Sequence, residues 1–65
     1  MIKINGKEYS ELEGKNISDM LSSLGYKEKF VAVEMDGRIV PKSEYESTVL
    51  REDVSLEVVS FVGGG

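Results

Sequence analysis

Apolar residues recur along the chain with two different periods, and the first period predicts an α-helix. Four residues share the i, i+3, i+4, i+7 spacing that places side chains on one face of a helix: Ile17, Met20, Leu21 and Leu24. Asn16 is a preferred N-cap residue, and Gly25 is a preferred residue just past a helix C-terminus. The pattern therefore predicts one amphipathic helix bounded by Asn16 and Gly25.

The second period is strict alternation, which predicts strands. Ile2 and Ile4 alternate with polar residues, the Asn5-Gly6 dipeptide is typical of a tight hairpin turn, and residues 7–12 can return as a second strand. We therefore expect the chain to begin with a β-hairpin.

A second hairpin and a final strand are predicted after the helix. Residues 30–35 form one strand, Asp36-Gly37 the turn, and residues 38–40 a short returning strand. Ser43 with Glu46 is spaced to cap one short helical turn. The last predicted strand covers residues 54–61.

The predicted helix needs a matching apolar surface, which the strands supply. Six strand residues point to that side by alternation: Ile2, Ile4, Val31, Val33, Leu56 and Val58. A hairpin is antiparallel, whereas a helix of this kind is a right-handed crossover between parallel strands. We therefore predict an α+β fold of the ubiquitin-like β-grasp type. A mixed sheet of four to five strands packs against one α-helix, with the first and last strands side by side.

Composition and charge narrow the possible functions. The 65 residues include no Cys and no His, which removes disulfides, thiolate nucleophiles and the usual zinc ligands. The net charge is −4, the wrong sign for binding a nucleic-acid backbone. No apolar run approaches the length of a membrane span, so we expect a cytoplasmic protein without a membrane or nucleic-acid partner.

The sequence ends in Val62-Gly63-Gly64-Gly65 directly after the last predicted strand. We predict a β-grasp domain over residues 1–61 and a flexible glycine tail over residues 62–65. Because glycine has no Cβ, such a tail can enter a narrow channel of another enzyme and present its carboxylate to a nucleotide. Taken alone, three glycines fit a cloning remnant or a disordered terminus as well as they fit such a functional tail.

Alternation also predicts a surface for a partner on the helix-free side of the sheet. Four apolar residues point to that side, close to the tail: Phe30, Ala32, Val59 and Phe61. Glu34 and Glu57 are expected at the rim of this surface, where they suit a basic partner. The alternative is that loops cover these residues or that they are ordinary scattered surface apolar groups.

Three segments of the chain resemble the ThiS family of sulfur carrier proteins of thiamine biosynthesis: residues 16–25, 31–45 and 59–65. The run Val40-Pro41-Lys42-Ser43-Glu44-Tyr45 is more specific than the glycine ending. The family usually has an Asp-Gly-Asp type of turn before the last strand, whereas this chain has Glu52-Asp53-Val54. Asp53 therefore occupies the position of the family's glycine, and Asp tolerates the left-handed conformation better than most residues.

The resemblance implies a sulfur carrier that is acted on by enzymes and is not itself one. In such a family a ThiF-like adenylyltransferase uses ATP to adenylate the terminal glycine, and sulfur from a donor protein replaces the AMP to give a thiocarboxylate. Thiazole synthase, ThiG, then accepts the sulfur. The reactive carboxylate would be that of Gly65, with Gly64 completing the family's Gly-Gly. The resemblance implies no metal and no stably bound cofactor, and a monomer when free.

Three other functions are compatible with the same sequence. The small subunit of a molybdopterin synthase has the same fold and also ends in Gly-Gly. A ubiquitin-like modifier would be conjugated through its terminal glycine to lysines of other proteins. A non-catalytic interaction module would carry the glycine tail without using it.

Overall fold

A computed structural model describes residues 1–61 of the chain, which form one five-stranded sheet, one α-helix and two short 3₁₀ helices. The strands are β1 (Ile2–Ile4), β2 (Lys7–Tyr9), β3 (Val31–Met35), β4 (Arg38–Ile39) and β5 (Ser55–Ser60). The α-helix α1 covers Ile17–Ser23, and the 3₁₀ helices cover Glu28–Phe30 and Lys42–Glu44.

The sheet has the strand order β2-β1-β5-β3-β4. β1 pairs with β5 in parallel, while the β1–β2, β3–β5 and β3–β4 pairs are antiparallel. The first strand and the last strand are therefore neighbours, and β5 occupies the centre of the sheet. This arrangement confirms the predicted mixed sheet and its β-grasp topology.

The core lies between α1 and one face of the sheet. The six strand residues predicted to point inward are all buried, and so are Ile17, Met20 and Leu21 of the helix. Leu24 is partly buried and packs against this core, so it lies on the predicted face of the helix but is less buried than the other three residues of the stripe. Leu24 is the C-cap residue, with φ −93° and ψ 0°, so it lies at the margin of the interface where the helix ends.

Both predicted hairpin turns are present. Asn5 and Asp36 each have a φ of 51°, and the glycine after each also has a positive φ, the combination that a type I′ turn requires. Asn16 caps α1 as predicted, because its Oδ1 accepts a hydrogen bond of 2.7 Å from the backbone N–H of Asp19. Asp53 has a φ of 68°, so this aspartate takes the left-handed conformation at the position where the family has glycine.

Several predicted boundaries are wrong because apolar periodicity does not detect local turns. β2 ends at Tyr9 and not at residue 12, since backbone hydrogen bonds from Glu13 to Ser10 and from Lys15 to Leu12 turn the chain there. Leu12 is nevertheless buried. Tyr9 pairs with Ile2 and shares its face, so continued alternation would have pointed residue 12 to the opposite face. The turn after β2, and not alternation, brings Leu12 into the core.

The later boundaries are also shorter than predicted. β4 covers only Arg38–Ile39, β5 begins at Ser55 and ends at Ser60, and Phe30 belongs to a 3₁₀ helix and not to β3. The second 3₁₀ helix begins after Pro41 with no side-chain cap, so the predicted cap by Ser43 and Glu46 is wrong. Pro41 is the N-cap residue, with φ −63° and ψ 146°.

The Val40–Tyr45 run connects two parts of the fold through Lys42 and Tyr45. Lys42 Nζ donates hydrogen bonds to the backbone oxygens of Glu28 (2.5 Å) and Val31 (2.7 Å). The Tyr45 ring is buried in the core, with the Lys42 ammonium 5.7 Å from its centre. Burial raises the pKa of Tyr45, and a backbone hydrogen bond with Val33 partly opposes this shift. The run therefore fastens the start of β3 to the loop that follows β4.

No helix within residues 1–61 has the length and apolar character needed to cross a membrane.

Candidate functional site

The face of the sheet opposite α1, here called the outer face, carries the residues predicted to bind a partner. In the β3–β5 register, Ala32 lies opposite Val59 and Glu34 lies opposite Glu57. Residues directly opposite each other in an antiparallel pair point to the same face. The outer face therefore presents two successive cross-strand pairs, one apolar and one acidic.

We use the name outer apolar patch for the four residues predicted to form it: Phe30, Ala32, Val59 and Phe61. Ala32 and Val59 are a cross-strand pair of the outer face, while Phe30 lies directly before β3 and Phe61 directly after β5. The Phe61 N–H donates a hydrogen bond of 2.6 Å to the Phe30 carbonyl, which continues the β3–β5 ladder by one more pair. Val59 and Phe61 are 56% and 44% exposed, whereas Phe30 and Ala32 are half-buried. The patch therefore includes Phe61, the last described residue of the chain.

Glu34 and Glu57 lie beside the patch as a facing pair on adjacent strands, and not around its rim. Both are exposed, and neither forms an ion pair within residues 1–61. Like charges directly opposite each other on neighbouring strands destabilise a sheet. The pair thus concentrates negative charge at the middle of the outer face without compensation from the described part of the chain.

Ile39 was not predicted to belong to this face. It lies opposite Glu34 in the β3–β4 pair and is 73% exposed. The signal was present in the sequence, because a two-residue turn at Asp36-Gly37 pairs residue 35 with 38 and residue 34 with 39. The acidic pair is therefore flanked by an exposed apolar side chain on each side, Val59 and Ile39.

Two turn residues hold the backbone of β5 from opposite sides. Asn5 Oδ1 accepts a hydrogen bond from Val58 N–H (2.8 Å), and Asn5 Nδ2 donates one to the Val58 carbonyl (3.2 Å). Asp36 Oδ1 accepts a hydrogen bond from Ser55 N–H (3.1 Å). Sequence reasoning identified both as turn residues but missed these contacts, since residues 5 and 58 are brought together only by the fold.

The two residues predicted to carry the chemistry, Gly64 and Gly65, lie outside the described residues. Within residues 1–61, no group of three or more Asp or Glu side chains has the geometry of a metal site. What the described part of the chain offers is a rigid sheet, an outer face with apolar and acidic zones, and a central strand that leads toward the C-terminal glycines.

Comparisons with known proteins agree on one family. The model of the ThiS family matches residues 2–65. The chain is 35% identical to the sulfur carrier protein ThiS of Bacillus subtilis, over 100% of both proteins. A crystal structure of a thiamine biosynthesis protein (ThiS) from Geobacter metallireducens superimposes with a TM-score of 0.78 at 25% identity, covering 98% of this chain and 97% of that one.

A second kind of relative is much longer than this chain. A thiazole synthase of Magnetococcus marinus is 38% identical over 64 residues, which is 98% of this chain and 20% of that protein. A thiazole synthase of Paramagnetospirillum magneticum is 39% identical over 95% of this chain and 19% of that protein. The chain thus spans about a fifth of the length of these two relatives.

Proposed function

The chain belongs to the ThiS family, and from that premise we propose that it is a sulfur carrier for thiazole formation in thiamine biosynthesis. The observation that carries the proposal is the match to the family over residues 2–65, which includes the glycine ending. The position of β5 supports it, because this central strand of the sheet ends at Ser60, five residues before Gly65 in the sequence.

The proposed chemistry takes place at the terminal carboxylate of Gly65. A carboxylate is a poor electrophile, so an activating enzyme of the ThiF type first joins it to the α-phosphate of ATP, releasing pyrophosphate. Sulfur delivered at the oxidation level of hydrosulfide then attacks the acyl carbon, the bond to AMP breaks, and AMP and a proton are released to leave a thiocarboxylate. The sequence has no Cys and no His, so each bond-making step is assigned to the active site of a partner enzyme.

The outer face supplies the docking surface in this proposal. An activating enzyme must hold the folded body while the terminal carboxylate reaches the nucleotide, and the outer apolar patch lies at the end of the strand that leads there. Val59 and Phe61 are exposed enough to enter a pocket of the partner. Glu34 and Glu57 would attract a basic surface and accelerate the encounter.

Thiazole synthase is the proposed acceptor of the sulfur. The support is the pair of thiazole synthases that contain a segment similar to nearly the whole of this chain. A carrier segment within the same polypeptide as a synthase raises the local concentration of one partner around the other. We propose that this chain delivers its sulfur to a ThiG-type synthase.

Intact mass tests the proposal directly. After incubation with ATP, a ThiF-like enzyme and a sulfur donor, we expect the mass to rise by the difference between sulfur and oxygen. A chain lacking Gly65 should keep its fold and gain no mass. Gly64→Val should be activated much more slowly because a branched side chain obstructs a narrow channel.

Other outcomes of the same reaction would contradict the proposal. Sulfur incorporation in the chain without Gly65 would place the chemistry elsewhere. Adducts joined to lysines of other proteins, without a thiocarboxylate, would support the ubiquitin-like modifier. Transfer of the sulfur to a molybdopterin precursor in place of the thiazole synthase substrate would support the molybdopterin synthase subunit.

A further inference from the structure

β1 supports β5 over a very short distance. The two strands share only two residue pairs, Lys3 with Ser55 and Ile4 with Leu56. The Asn5 N–H still donates a hydrogen bond of 2.9 Å to the Leu56 carbonyl. The chain turns at Asn5, however, so no residue of β1 lies opposite the second half of β5. The backbone groups of Val58 that face β1 would therefore lack partners.

The side chain of Asn5 replaces the missing strand residue. Its carboxamide accepts from the Val58 N–H at 2.8 Å and donates to the Val58 carbonyl at 3.2 Å. One donor and one acceptor are what a paired backbone residue would supply. Among the short side chains that tolerate the φ of 51° found here, asparagine alone combines the two.

This contact is the last one described on the β1 side of β5. Beyond Val58 the strand is paired only with β3, through Val59 with Ala32, Ser60 with Val31, and the hydrogen bond from Phe61 to Phe30. Val58 precedes the terminal glycine by seven residues. Asn5 therefore holds the point at which β5 changes from two neighbours to one.

We propose that Asn5 is a positioning residue for the reacting C-terminus. Its carboxamide fixes the backbone of Val58 and so sets the direction in which the end of β5 leaves the sheet. The inference rests on the proposed function, since it concerns delivery of the Gly65 carboxylate to a nucleotide. A displacement of about 1 Å at a reacting group can reduce a rate by about 100-fold, so support at this position affects turnover.

Asp36 provides a matched control within the same sheet. It has the same φ of 51° and is also followed by glycine, and its side chain holds Ser55 at the opposite end of β5. Asn5→Gly removes two side-chain hydrogen bonds to β5 and Asp36→Gly removes one. Neither adds strain, because glycine adopts a positive φ readily. The two variants differ in which end of β5 is released.

The experiment compares both variants in ATP-dependent adenylation by the activating enzyme, with thermal unfolding measured in parallel. We expect both to unfold at a lower temperature than wild type. Asn5→Gly should reduce kcat by about 10-fold or more, with a smaller change in KM, because docking is retained and delivery is impaired. Asp36→Gly should keep a kcat within about twofold of wild type.

Three results would decide against the inference in different ways. A wild-type kcat in Asn5→Gly would overturn the positioning role. Equal losses of kcat in both variants, in proportion to their loss of stability, would reduce Asn5 to a structural residue. A wild-type chain that is not adenylated at all would instead overturn the proposed function on which the inference rests.

Discussion

Single polar residues stabilise this fold by bonding backbone groups that helices and strands leave unpaired. Asn16 accepts a hydrogen bond from an N–H at the start of α1. Asn5 bonds both backbone groups of Val58, and Lys42 donates to the carbonyls of Glu28 and Val31. A hydrogen bond of this kind contributes about 0.5 to 1.5 kcal/mol, and more when the donor is charged. In a domain of this size such contributions are a substantial part of the total stability.

Lys42 offers a direct test at this scale. Lys42→Met keeps most of the aliphatic stem but removes both hydrogen bonds, so we expect the free energy of unfolding to fall by about 1 to 3 kcal/mol. Urea denaturation measures the change. Lys27→Met is the control, because Lys27 is an exposed lysine of a nearby loop that donates no side-chain hydrogen bond within residues 1–61. Equal stability of both variants would show that the two Lys42 hydrogen bonds contribute nothing to the free energy of unfolding.

At the scale of elements, α1 depends on the sheet for its existence. It has only seven residues, far fewer than an isolated helix needs in water. Its stability comes from burying Ile17, Met20 and Leu21 against the strands. Leu24, at the C-cap, adds a smaller contact at the margin of the same interface.

The helix face can be tested with two leucine substitutions. Leu21→Ala should lower the free energy of unfolding by about 2 to 5 kcal/mol, because the side chain is fully buried. Leu24→Ala should cost clearly less, since that side chain already contacts solvent. Thermal unfolding followed by circular dichroism ranks the two variants. A larger loss for Leu24→Ala would contradict the helix orientation described above.

In the whole molecule, the two faces of the sheet differ in burial. One face is covered by α1 and forms the core, and the other carries the outer apolar patch and the facing carboxylates. If the outer face is the docking surface that we propose, a substitution there should change binding with little effect on folding. β5 contributes to both faces, with Leu56 and Val58 inward and Glu57 and Val59 outward.

Binding to the activating enzyme tests the outer face. Phe61→Ala should weaken the complex by about 1 to 3 kcal/mol if Phe61 enters a partner pocket. Glu57→Lys should mainly slow association in a salt-dependent way. Glu11→Lys makes the same charge change in the loop after β2 and should affect association less. Wild-type affinity in a folded Phe61→Ala protein would place the docking surface elsewhere.

The features that depend on residues close together in the chain can be predicted from the sequence alone. The period of α1, the Asn16 cap and the turns at Asn5-Gly6 and Asp36-Gly37 rest on local conformational preferences. Alternation along each strand then decided which residues face the core. Because a tight turn also sets the register of its hairpin, even the exposed position of Ile39 could be read from the sequence.

Contacts between residues that are distant in the chain can be seen only in the folded structure. The contact between Asn5 and Val58 joins residues 53 positions apart, and the bond from Lys42 to the Glu28 carbonyl joins residues 14 apart. The alignment of Glu34 with Glu57 depends on the register between β3 and β5. Local preferences contain no information about such pairs, because a hydrogen bond or a charge repulsion acts only once packing has brought the groups within a few ångströms.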